Sequence, residues 1–128
     1  MNLHVFENTQ HALLQVIAAL IDNGDGAGRI ELLSADGRVL SVMRFSEPSA
    51  PEHPQQSTLT FGPISEDPSA RASGRAVLGR ILDGDGSQIL ECDVSDLNGD
   101  AVIKLSTNEI VAGGPVRISS FTLSYPRD

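Results

Sequence analysis

Few residues in this chain could do chemistry, and their spacing argues against most of it. Within Arg80–Val94, Asp83-Gly84-Asp85-Gly86 sets two carboxylates on alternate positions ahead of Ser87, as a calcium loop would. The rest of that pattern fails. Counting from Asp83, the sixth residue is Gln88 where a calcium loop needs Gly, and the twelfth is Val94 where it needs Glu. A hairpin turn needs only residues that accept positive φ, and Gly84, Asp85 and Gly86 supply them. Asn23-Gly24-Asp25-Gly26, Asp36-Gly37 and Asn98-Gly99-Asp100 read the same way, as chain reversals between periodic segments.

The remaining reactive groups are dispersed. His4, His11 and His53 show no metal-ligand spacing, and no G-x-S-x-G elbow offers a nucleophile. His53 falls in a proline-rich stretch that reads as too flexible to hold a base in place. Gly24–Gly28 follows a helix rather than opening one, so it is not a dinucleotide fingerprint, and the single lysine, Lys104, lies in a strand. Cys92 is the only cysteine; no disulfide or cysteine-based zinc site can form within one chain, and its position reads as a buried apolar one. The expectation is a protein without catalytic residues, cofactor or metal.

With 17 acidic against nine basic residues, the net charge of −8 opposes a phosphate backbone, and nucleic acid is not an expected partner. Phe6, Phe45, Phe61, Phe121 and Tyr125 are the only aromatic rings besides histidine, a poor supply for glycan or base stacking. The apolar run Ala12–Ile21 is too short to span a bilayer, and the residues ahead of it carry no Lys or Arg. Neither a membrane segment nor a signal peptide is expected.

The elements that must position these residues are short. After an arm over 1–9, a helix is expected over about 8–22, its periodic part at 10–22, with Asn8 or Thr9 as N-cap and Gly24 closing it. Leu13, Leu14, Val16, Ile17, Leu20 and Ile21 cover an apolar arc of roughly 160°, wider than the ~100° a surface helix needs. The excess marks Leu13, Val16, Ile17 and Leu20 as candidate contact residues. Over 28–126 the period changes to two, giving seven or eight short strands: a hairpin of Arg29–Ser34 with Arg38–Phe45, then Thr58–Gly62, a second hairpin across the Asp83–Gly86 turn, Ala101–Ser106 and Val116–Tyr125. In the last, the alternation slips at Ser119-Ser120, which calls for a bulge. The 46–57 connection, with three prolines, reads as exposed and extended. The fold class is mainly β, one antiparallel β-sandwich or jelly-roll-like domain with an N-terminal helix.

Two segments point further. "IVAGGPVRISSFT" (Ile110–Thr122) and "DPSARASGRAVLGR" (Asp67–Arg80), with "GAG" before the first strand, resemble a family of small virion proteins of tailed bacteriophages. The likeness runs over nearly the whole chain. It departs at Leu105-Ser106-Thr107, where the family often has Leu-Asn-Thr, and in the unusually proline-rich 46–57 connection. The resemblance implies a virion structural protein, most readily a minor capsid or decoration (cement) protein on the outer capsid surface. Its implied partners are the major capsid protein and other copies of itself, a trimer suiting sites where capsid subunits meet in threes. A tail or neck component is the alternative within the same family, and a glycan- or host-surface-binding module is the alternative outside it.

Overall fold

The structure is a computed structural model and describes residues 3–124. Met1 and Asn2 of the arm, Tyr125 of the expected last strand and the domain's end at 126 lie outside the described residues. Helix α1 spans Glu7–Ile21. Neither Asn8 nor Thr9 caps it: Phe6 holds the N-cap position in extended backbone with no side-chain cap, and its carbonyl accepts from Thr9 and Gln10 N–H. The Asn8 carboxamide instead accepts from its neighbour Thr9 N–H. Glu7 in the first turn suits the positive end of the helix dipole. Gly24, at φ +96°, turns the chain away from the other end.

The strands are β1 Arg29–Leu33, β2 Val39–Arg44, β3 Thr58–Thr60, β4 Gly74–Arg75, β5 Leu78–Leu82, β6 Gln88–Ser95, β7 Ile103–Leu105, β8 Glu109–Ile110 and β9 Ile118–Ser124. Seven of them form one curled sheet in the order β2-β1-β5-β6-β7-β9-β3, while β4 and β8 pair separately. The expected mainly-β, sandwich-like fold with one helix holds. Both hairpins fall where alternation placed them, and the bulge falls on Ser119: Lys104 pairs with Ser120 and Leu105 with Ile118, skipping one residue.

One junction is not antiparallel. Val94 and Ser95 run parallel to Ile103 and Lys104. The expected simple turn at Asp96–Asp100 is a loop that returns the chain to its original direction. Side-chain oxygens replace ladder bonds there: Asp93 accepts from Val102 N–H at 2.9 Å, Asp96 from Asn98 N–H at 2.9 Å, and Ser95 from Ala101 N–H at 3.4 Å. The result is a curled mixed sheet beside the small β4–β8 pair, so the expected all-antiparallel pairing fails at this one junction.

The sheet closes over one core. Ile30, Leu32, Ile81, Val94, Ile103 and Leu105 are buried in it, and Leu14 and Ile21 of α1 join them. Phe45, Phe61 and Phe121 pack as a trio, with ring centroids 4.7, 4.9 and 6.2 Å apart. Cys92 is buried as expected; desolvation, aided by the neighbouring Asp93 charge, pushes its thiol up to about 11. On the outer face Arg80 reaches Glu31 and Glu91 across neighbouring strands, both at 3.6 Å.

The β2 edge is covered by its own chain. Asp67 accepts from Ser41 Oγ at 2.6 Å and Val42 N–H at 3.2 Å, Ser65 accepts from Arg44 N–H, and Arg71 N–H donates to the Leu40 carbonyl. An edge treated in this way offers no template to another strand.

Candidate interaction surface

Helix α1 makes three sets of contacts. Leu14 and Ile21, with Ala18, turn to the core. Gln10, His11 and Gln15 grip the proline-rich connection. Leu13, Val16 and Leu20 face outward, with 44, 53 and 46% of their surface exposed. Of the four residues the sequence singled out, these three form a continuous stripe. Ile17 does not belong with them: it packs against the core cluster, so part of the wide arc is ordinary core.

Sequence reasoning left out the residues that extend the stripe. Phe6, exposed to 69%, stands at the N-cap just ahead of the helix, and Leu3, exposed to 77%, lies before it in the arm. The signal was available, because Phe6, Leu13 and Leu20 recur at heptad spacing. Gln10 Nε2 donates to the Val5 carbonyl at 2.6 Å and ties the arm to the helix. His4 packs edge-on against the Phe6 ring, centroids 4.6 Å apart.

The gripping face corrects the flexible reading of the 46–57 connection. Gln56 and Ser57 occupy left-handed backbone at φ 51° and 59°, in a turn closed by Gln55 N–H to the Thr58 carbonyl at 3.0 Å and its reciprocal at 2.9 Å. Two consecutive non-glycine residues there cost about 1–2 kcal/mol each, so other contacts must hold the turn. The helix provides them. Ser57 N–H donates to His11 Nε2 at 2.9 Å, the Ser57 hydroxyl donates to Gln10 Oε1, and Gln15 Nε2 donates to His53 Nδ1 at 2.8 Å. Because His11 Nε2 accepts, it carries no proton, and the Glu7 carboxylate 3.8 Å away is not its ion-pair partner in this state. The Ser57 hydroxyl bypasses the imidazole. His11 is thereby a structural acceptor, not a base poised over a nucleophile.

The acidic-glycine loops are turns, and two of them interlock. Asp83 Oδ1 accepts from Asp85 N–H at 2.9 Å and Ser87 N–H at 2.8 Å, while Asn23 Nδ2 lies 3.5 Å from Oδ2. Asp85 Oδ1 accepts from Asp25 N–H at 3.1 Å, and Gly84 N–H donates to the Asn23 carbonyl at 2.9 Å. A Cβ at Gly24 would meet Asp85 Cγ at 2.7 Å, and one at Gly84 would collide with the Gly26 carbonyl. These glycines are required by close approach between loops distant in sequence. The Ser87 N–H bond, with those from Asp85 and Gly86 N–H and Asn23, holds the Asp83 carboxyl below the usual carboxylate range against the opposing effect of burial. Among the described residues no group of three or more His, Cys, Asp or Glu side chains could hold a metal ion. Nor, among them, is any helix long and apolar enough to cross a membrane.

Comparison with protein-family models, curated proteins and solved structures finds no match for this chain. The two segments singled out in the sequence, residues 67–80 and 110–122, are joined in the fold. Asp67 and Val116 bridge through both backbone bonds, Ala70 N–H donates to the Gly114 carbonyl at 2.9 Å, and Gly113 N–H donates to that of Ala70 at 2.8 Å. Gly74 and Arg75 then pair with Ile110 and Glu109. These motifs form a structural staple, and the exposed stripe lies elsewhere.

Proposed function

We propose that this chain is a structural component of a tailed-bacteriophage virion: a minor capsid or decoration protein bound to the outside of the head and acting by adhesion, not catalysis. The observation that carries the reading is the apolar stripe Leu13, Val16 and Leu20, with Phe6 just ahead of it at the N-cap, left exposed on a helix whose other side already completes the core. A monomer gains nothing from exposing such a surface, whereas an assembly component gains a contact. The sequence resemblance supplies the setting. The charge supports the outer side: at −8 the chain would be repelled by packaged genome and is well hydrated facing solvent. The major capsid protein and further copies of the chain are the partners this reading requires.

The test is binding to heads. Purified chain, incubated with phage heads assembled without it and sedimented, is expected to co-sediment to saturation at a fixed ratio to the capsid subunit. Failure to bind heads, with saturable binding to isolated tails instead, would move the chain to the tail or neck. Binding to neither would sink the virion reading.

A further inference from the structure

The proline-rich connection is anchored at its ends by a carboxylate and a strand ladder, and near its far end by an imidazole. Ser49 N–H donates to Asp22 Oδ1 at 2.8 Å, and the Ser49 carbonyl accepts from Gly62 N–H at 2.8 Å. At the other end Thr58 enters β3 and pairs with Ser124 of β9. Just before it the helix holds the turn at Ser57, whose N–H donates to His11 Nε2. We propose that His11 is the catch of an acid-released clasp: protonation of its imidazole frees residues 50–57 from α1 and opens the groove between them. The inference concerns the chain by itself and does not depend on the virion reading.

The donor decides which histidine is the catch. A backbone N–H only donates, so the Ser57 bond exists only while His11 Nε2 is bare and the ring proton sits on Nδ1. An imidazolium donates from both nitrogens and would set N–H against N–H. The Gln15–His53 contact differs: a carboxamide can turn over and accept where it donated, so protonated His53 keeps its partner. Two features favour release from His11. Gln56 and Ser57 occupy left-handed backbone that relaxes once the helix lets go. Glu7, one turn earlier, holds a carboxylate 3.8 Å from Nε2 and offers the imidazolium an i,i+4 partner. Among the described residues Glu7 is the only carboxylate within 4.0 Å of the His11 ring nitrogens; the connection carries Glu52 and His53, the latter taken by Gln15, and β3 is uncharged. The closed connection therefore stands above the range in which histidine changes charge, about pH 5–8, and is lost as pH falls through it. The groove that opens is apolar. Its volume is about 280 Å³, and Ala18, Ala19, Ala50, Pro54 and Leu59 line it, the last two buried in the closed form.

Wild type and His11→Gln, each as the intact chain at about pH 7.5 and about pH 5.5, test this. Glutamine can place Oε1 where Nε2 stands and takes up no proton, so its connection should stay closed in acid. A glutamate-specific protease active over this range reads opening as cleavage after Glu52, and the ratio of wild-type to variant rates cancels the enzyme's own pH dependence. The two rates are expected to match at the higher pH and to differ about tenfold at the lower, the effect of losing one hydrogen-bond acceptor. The bond after Glu31, within β1, should stay uncut throughout. Glu7→Gln should move release to lower pH. Nitrogen-15 spectra of the wild-type imidazoles need no variant. At the higher pH His11 should show the Nδ1–H tautomer, not the Nε2–H form usual in water, and the Ser57 amide should shift as His11 gains its proton. The inference is overturned by a rate ratio that pH does not change, by acid cleavage after Glu31 together with Glu52, or by an Nε2–H tautomer at His11. A Ser57 amide that follows the titration of His53 instead would overturn the assignment of the catch to His11.

Discussion

The interlocked loops at residues 23–26 and 83–86 and the outer face of α1 are opposites in how their groups are partnered. In the loops, Asp83 and Asp85 accept from backbone N–H groups, and glycines let the two turns close on each other. On the helix, apolar side chains stand in solvent although their neighbours Leu14 and Ile21 are buried. The conspicuous residues are therefore the occupied ones. The inconspicuous residues, an ordinary Leu-Val-Leu stripe, are left free to act. Partner satisfaction, and not residue type, separates scaffold from surface in this molecule.

The largest effect should come from crossing that helix. Ile21→Asp buries a carboxylate at a position with no exposed surface and should remove about 4 kcal/mol or more in urea unfolding. Val16→Glu, five residues earlier and outward-facing, should stay within about 0.5 kcal/mol of wild type. Equal losses would erase the distinction between the two faces. Next is Gly84→Ala, whose methyl would enter the facing 23–26 loop; a loss of about 1–3 kcal/mol is expected, and a neutral result would mean the loops are not locked together. His11→Ala leaves the buried Ser57 N–H without its acceptor and should cost about 1–2 kcal/mol, with new protease sensitivity confined to residues 51–57. Unchanged stability with no cleavage there would show that the helix does not hold this turn.

Smaller still is the acid response of the loops. Asp83 titrates lower in the folded chain than in the unfolded one, so its contribution is present above the ordinary carboxylate range. It is lost as pH falls through the depressed folded value. Asp83→Asn should therefore be less stable than wild type at neutral pH, and the two should converge in acid. A constant difference across pH would assign the effect to packing.

The sequence located most strands because alternation and turn residues act locally, and even the bulge at Ser119 could be read from a slipped period. Other features were set by distant parts of the chain. The two-residue strands β4 and β8 are too short to show a period, and they exist because residues 67–76 pair with 108–116. The parallel junction of β6 and β7 depends on side-chain oxygens of Asp93, Ser95 and Asp96 that resemble ordinary turn formers in the sequence. The order of the proline-rich connection comes from bonds to His11 and Gln15, 46 and 38 residues away. For the surface, the width of the apolar arc was visible. Its division between core and solvent was not, because that depends on which way the sheet presents itself to the helix. Ile17 was therefore assigned to the wrong side and Phe6 overlooked.

The most direct measurement is side-chain footprinting by carbene or hydroxyl radical, comparing the dilute free chain with the chain on intact particles. On assembly, Phe6, Leu13, Val16 and Leu20 are expected to become protected while labelling around residues 23–26 and 83–86 stays as it was. Protection of the acidic loops, with the helix labelled as in free solution, would contradict the assignment of these two regions.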